Sequence, residues 1–123
     1  MNGDGTQDIV AANIGEKNRI YLNQGNGKFE EFITFGSLRD KTMSIALGDL
    51  DGDGDLDIVT GNNNSKNHYY INSGEKFKLN YFSEDNKITY GISLGDLNNN
   101  GRLDVIESNS GDVNKIFFNK AMK

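Results

Sequence analysis

Five carboxylates fall within nine residues at Asp49-Leu50-Asp51-Gly52-Asp53-Gly54-Asp55-Leu56-Asp57, with no basic residue among them. At neutral pH such a cluster repels itself. Three chemistries could explain it: a solvated acidic turn, a carboxylate pair for general acid–base work, or an oxygen cage for a hard cation. The spacing favours the cage. In D-x-D-x-D-G-x-x-D the side chains at positions 1, 3 and 5 converge, because the glycine at position 6 permits a sharp reversal. The carbonyl of position 7 and the carboxylate of position 9 close the far side. Here the ligands are Asp49, Asp51, Asp53, the Asp55 carbonyl and Asp57. Calcium takes about 6–8 oxygens in a flexible site, whereas magnesium demands a tighter octahedron and keeps more water. Calcium is the expected cofactor.

The motif recurs. Gly3-Asp4-Gly5-Thr6-Gln7-Asp8-Ile9-Val10 aligns with Gly52 to Val59 at a shift of 49, and Asp49 to Ile58 aligns with Asp96 to Val105 at a shift of 47. Two further elements repeat at matching offsets. One is Asn18-Arg19-Ile20-Tyr21-Leu22-Asn23, returning at Asn67 to Asn72 and Asn114 to Asn119; the other is Ser44 to Leu50, returning at Gly91 to Leu97. This is a repeat protein. Its third loop offers Asp96, Asn98, Asn100, the Arg102 carbonyl and Asp104. The first supplies Asn2, Asp4, the Thr6 carbonyl and Asp8, because position 1 would precede Met1. Fewer charges predict weaker binding, so the middle loop is expected to be tightest and the first crippled or empty. Catalysis is disfavoured: paired acids for such work need unlike environments, and these are equivalent members of copied loops.

The elements that position the loops read as β throughout. Met43, Ile45 and Leu47 alternate with Thr42, Ser44 and Ala46, and Tyr90, Ile92 and Leu94 copy the pattern. Short β-branched runs follow each acidic loop at 8–11, 56–60 and 103–106. The Asn-bounded aromatic segments form a third strand, and a fourth begins near Phe29 or Phe77. The expected fold is all-β, with four-stranded antiparallel propeller blades. Strands A to D are joined A to B by the acidic loop. The blades divide as 1–41 (B-C-D), 42–87 (A-B-C-D) and 88–123 (A-B-C), about two and a half blades where propellers close at roughly 4–8. A solenoid is the alternative architecture.

On these residues the chain resembles the FG-GAP and VCBS repeats, the calcium-loop blades also found in integrin α-chain propellers. The resemblance rests on Asp49 to Val59, Asn67 to Asn72 and Gly74 to Phe77. It implies a propeller whose A–B loops bind Ca2+ through positions 1, 3, 5, 7 and 9. It further implies an extracellular or cell-surface parent, serving adhesion, carbohydrate binding or scaffolding within larger enzymes.

The remaining residues narrow the partners. There are 18 acidic and 13 basic residues, a net charge of −5, and no cysteine or proline. A nucleic-acid partner is not expected, nor is a membrane one, since no apolar run reaches about 20 residues. Open sheet edges suggest a fragment assembling as a homo-oligomer into a closed ring, with a carbohydrate or protein ligand possible. Asp96 to Glu107 satisfies the EF-hand pattern, but its flanks are strands, and Thr60 and Ala11 stand where Glu107 does. Glu107 is read as a strand residue and His68 as an exposed one. Asn62 to Ser65 read as a polar B–C loop, and Tyr21, Tyr69, Tyr70, Phe117 and Phe118 as blade packing. The expected role is non-enzymatic, a calcium-binding module. The alternative is a piece of a propeller-type polysaccharide lyase or hydrolase with catalytic residues elsewhere.

Overall fold

The computed structural model describes residues 1–74, 76–84 and 86–121. Ten strands form three antiparallel sheets, and no helix occurs among the described residues. The first sheet holds β1 (Ile9–Ala11), β2 (Asn18–Leu22) and β3 (Glu31–Phe35). The second holds β4 (Thr42–Gly48), β5 (Asp57–Asn62), β6 (His68–Asn72) and β7 (Phe77–Tyr81). The third holds β8 (Ile88–Gly95), β9 (Asp104–Ser110) and β10 (Lys115–Phe117). In each sheet the strands lie side by side in chain order. These are propeller-like blades.

Each strand forms where β-branched and aromatic residues cluster between turn-formers. Ile20 pairs with Val10 on one side and Ile33 on the other, and Ile58 faces Leu47 and Tyr70. β4 and β8 depart from simple alternation in the same place. Their registers shift between Thr42 and Ser44 and between Thr89 and Gly91. Each irregularity leaves its threonine buried, while Leu47 on the supposed core face is 42% exposed. The inner strands therefore bury polar and apolar residues alike, because a neighbouring sheet covers either face.

Two apolar clusters join the sheets. Ile20, Phe35, Ile58 and Tyr70 lie between the first and second, and Leu50, Val59, Ile71, Ile92 and Val105 between the second and third. Packing is close at the second junction. A Cβ placed on Gly48 would stand 2.6 Å from the Leu103 Cδ1 and 2.9 Å from the Leu94 Cδ1. Tyr69 and Phe117 pack against that cluster, and the Phe82 ring lies 4.9 Å from Phe117. Tyr21 tilts against Phe32 at 5.7 Å, whereas Phe118 is half exposed.

Asparagine ladders accompany the clusters. At the first junction the Asn18 Nδ2 donates to the Thr42 hydroxyl, which donates to the Asn62 Oδ1, both at 2.9 Å. At the second, the Asn67 Nδ2 donates to Thr89 and the Thr89 hydroxyl to Asn109, at 2.8 and 2.7 Å. The Asn62 and Asn109 backbone N–H groups in turn donate to the Asn67 and Asn114 side-chain oxygens. Buried amides are costly unless bonded, and here each satisfies the next.

Two sequence expectations are corrected. Asn62 ends β5 and is fully buried, and Asn63 bridges to Ile88, so the run 62–65 is only partly a loop. His68 is 7% exposed, because the first sheet and the β3–β4 linker cover its face.

Candidate metal centre

The middle acidic loop joins β4 to β5 and is built from its own backbone N–H groups. The Asp49 carboxylate accepts from Gly52 N at 2.7 Å and Gly54 N at 2.9 Å, which curls the chain around it. Asp51 accepts from Asp53 N and Asp53 from Asp55 N. Left-handed backbone at positions 4 and 6 makes both reversals possible: Gly52 has φ 84° and Gly54 φ 93°. The third loop uses Asn99 (φ 63°) and Gly101 (φ 81°) at the same positions. The left-handed position 4 was visible as Gly3, Gly52 and Asn99, yet the ligand pattern alone did not single it out.

Asp57 anchors the far side. It is fully buried, and its two oxygens accept from Leu50 N at 2.7 Å and Asn72 N at 2.8 Å. One carboxylate thus ties the loop entrance to the β6–β7 turn. Asp104 repeats this with Leu97 N and Asn119 N. In the first loop Asp8 accepts from Asn23 N and pairs with the Met1 ammonium at 2.6 Å.

Carboxylate oxygens of Asp49, Asp51 and Asp57 all lie within 4.8 Å of one another. That span is about twice a calcium–oxygen bond of roughly 2.4 Å, so one ion could touch all three. Burial lifts the Asp57 carboxyl above the usual range against the pull of the Asn72 and Leu50 N–H groups, and the Asp51 and Asp53 charges lift it further. Burial also lifts Asp51, with the Asp53 charge adding to it while the Asp53 N–H opposes. Desolvation is the larger cause of both shifts and neighbouring carboxylates add to it; an all-oxygen donor set with converging negative charge fits a hard divalent cation. Asp53 and Asp55 lie in the same loop but outside that trio, Asp53 being exposed.

The other loops are poorer. In the third, Asp96 accepts from Asn100 N and Gly101 N, and the Asn100 Oδ1 accepts from Arg102 N. Asn98 is exposed, and the Arg102 guanidinium reaches the Lys120 carbonyl. In the first, Thr6 donates to Asp4 through both its amide and its hydroxyl, and the hydroxyl bond is the larger cause of Asp4's lowered carboxyl. Asn2 is exposed and accepts only weakly from Asp4 N, at 3.4 Å.

Glu107 sits apart, within β9, fully buried. Its oxygens accept from the Asn67 and Asn109 amides at 2.8 and 2.7 Å. It serves the second ladder. The closing asparagines of the second and third aromatic strands have a role that the repeat displayed without explaining. The Asn119 Nδ2 donates to the Leu50 carbonyl of the neighbouring blade's loop and to the Leu103 carbonyl of its own, and Asn72 does the same with Met1 and Leu56. Adjacent loops are thereby locked together.

Blades of this make-up, the second and third carrying an acidic loop between their first two strands and the first carrying one ahead of β1, define a propeller-type repeat module. The model of the FG-GAP-like repeat matches residues 1–60 and again 49–107, each match running from one acidic loop past the next. The chain belongs to the FG-GAP-like repeat family. No curated protein matches it.

Proposed function

We propose that the chain is a calcium-stabilised, non-enzymatic binding module of an extracellular propeller. The convergence of Asp49, Asp51 and Asp57 carries this reading, since three carboxylates within one ion's reach, two of them lifted by burial, call for a cation. Asp49, Asp51, Asp53, the Asp55 carbonyl and Asp57 would hold it. The third loop would bind more weakly through Asp96, Asn98, Asn100, the Arg102 carbonyl and Asp104. The first, whose Asp4 carboxylate is already held by the Thr6 amide and hydroxyl, would bind least. The bound ion would supply positive charge that welds the loop. The chain's own part is to pre-set the cage through Asp57 and to pass its rigidity to the next blade through Asn72 and Asn119. Calcium is abundant outside cells, which suits such a reading and the extracellular setting typical of this family.

Assembly is the second half of the proposal. Gly95 is the equivalent of Gly48, but a Cβ placed on it meets nothing within 4 Å. Leu97, equivalent to the buried Leu50, is half exposed, as are Ile116 and Phe118 of the same blade. That face has the shape of one prepared for another blade, and in the isolated chain a second copy supplies it.

Thermal unfolding tests the calcium reading. At about 100 times Kd, calcium stabilises by about 2.7 kcal/mol, which for this size raises Tm by roughly 10 °C. The rise should shrink in Asp51→Asn. An identical Tm in calcium and in chelator would refute it.

A further inference from the structure

The first two sheets part toward their outer strands, leaving a groove of about 900 Å³ between β3 and β7. Its walls carry Ile33 and Phe35 on one side and Phe77, Leu79 and Tyr81 on the other, with His68 and Tyr70 of β6 between them. Arg39 and Asp40 of the β3–β4 linker and Lys66 of the β5–β6 loop also line it. This is a different place from the acidic loops.

The polar groups are held in position. Asp40 is buried, accepts from Ser37 N at 2.9 Å, and stands 3.7 Å from the His68 Nδ1. The Tyr70 hydroxyl lies 3.4 Å from the same nitrogen, and the His68 ring meets Tyr81 edge-on at 5.0 Å. Burial keeps His68 below its ordinary range although Asp40 pulls it upward. Lys66 pairs with Glu84 at 3.1 Å and lies over the Tyr81 ring at 4.9 Å.

Blade packing does not require the polar groups of these residues. At the next junction Lys87 replaces Asp40, Lys115 replaces His68, Phe117 replaces Tyr70 and Val113 replaces Lys66, and the sheets pack there too. The cluster belongs to one groove. Its contents describe a ligand. Ile33, Leu79 and Tyr81 leave 42%, 46% and 51% of their surface open on the walls. Lys66 is balanced by Glu84, and among the described lining residues Arg39 and Lys76 still outnumber the single acid, Asp40, in a chain of net charge −5. Thr34, Ser37 and Asn86 add hydroxyl and amide groups. An apolar wall, hydrogen-bonding groups and excess cations together suit a ring with a CH face, several hydroxyls and a carboxylate.

We propose that this groove binds an acidic sugar, a hexuronate-type pyranose unit. Its CH face lies on Leu79 and Tyr81, its hydroxyls meet Asp40 and His68, and its carboxylate meets Arg39. The assignment rests on the reading of the chain as a binding module and is independent of the calcium cage.

The test titrates glucuronate and galacturonate into the full chain in calcium, followed by NMR shift mapping. Glucose, galactose and acetate serve as the other probes. Saturable binding of a uronate is expected, at least about ten-fold tighter than the matching neutral sugar and than acetate, the scale of one charge-assisted bond. Shifts should fall on Asp40, His68 and Tyr81. Arg39→Gln should weaken binding about ten-fold or more while keeping the calcium-dependent rise in Tm. Acetate binding as well as the uronate, a neutral sugar binding equally, an unaffected Arg39→Gln, or no saturation would each overturn the proposal. If sugar binding fails while the calcium response persists, the groove assignment alone falls; if both fail, the module reading falls with it.

Discussion

Asp57→Ala separates what the cage does for the fold from what it does for the ion. In the metal-free chain the Asp57 carboxylate holds two buried backbone N–H groups, Leu50 at 2.7 Å and Asn72 at 2.8 Å. Hydrogen bonds to a charged group contribute about 1.5–3 kcal/mol each, so removing both costs roughly 3–6 kcal/mol gross. Burial lifts the carboxyl despite those bonds, so part of their value offsets desolvation and the lower end applies. About 3 kcal/mol is a large share of the roughly 5–15 kcal/mol that stabilises a typical domain. In chelator, urea unfolding of Asp57→Ala should show a midpoint lower by about 1.5 M, with the slope unchanged. Asp57→Asn keeps one acceptor but sets its amide against the second N–H, and should lose about 2 kcal/mol. Calcium should widen both gaps. A chelated Asp57→Ala midpoint within about 0.3 M of the parent would refute the anchoring role and leave Asp57 as a ligand alone.

Further outcomes follow from the same structure. Asn67→Ala strips partners from Asn62, Thr89 and Glu107 and should cost about 3 kcal/mol. Asn114→Ala, on the outward copy of that position, should cost less than about 1 kcal/mol; equal losses in urea unfolding would contradict the ladder. Gly48→Val should destabilise by about 2 kcal/mol or more through overpacking against Leu94 and Leu103. Gly95→Val should leave the monomer folded but reduce the oligomeric mass in light scattering; an unchanged mass would remove Gly95 from the proposed interface. The raised carboxyls of Asp51 and Asp57 bind protons at higher pH than in the unfolded chain. They therefore weaken the metal-free fold at neutral pH and cease to do so as pH falls through their raised range. Calcium needs both ionised, so its calorimetric affinity should drop as pH falls through that raised range, and a flat profile would contradict this.

The strands were legible because each is a short run of β-branched and aromatic residues whose spacing repeats. The acidic loop was legible because a cation cage needs oxygens at fixed intervals. Burial was harder to read. His68 looks like a solvent-facing variant of Arg19 and Lys115, but β6 has a sheet over that face, and only its pairing with Asp40 across the junction shows why a smaller ring stands there. Thr42 and Thr89 were assigned to a polar face that register shifts then turned inward. Asparagine commonly forms turns, yet Asn13, Asn62 and Asn109 recur at the blade offsets, the signal that marks them as parts of one device. Contacts between repeats lie 20 or more residues apart in the chain, so local patterning could not reveal them.

A calorimetric calcium titration of the chain beside Asp51→Asn tests the central claim most directly. Among the described residues Asp51 accepts one backbone N–H, that of Asp53, so the variant should fold like its parent. The account predicts one tighter and one weaker binding event in the parent, with the tighter event lost or weakened by about ten-fold or more in Asp51→Asn and the weaker one unchanged. Absence of binding heat, or a tight event that survives the substitution, would contradict it.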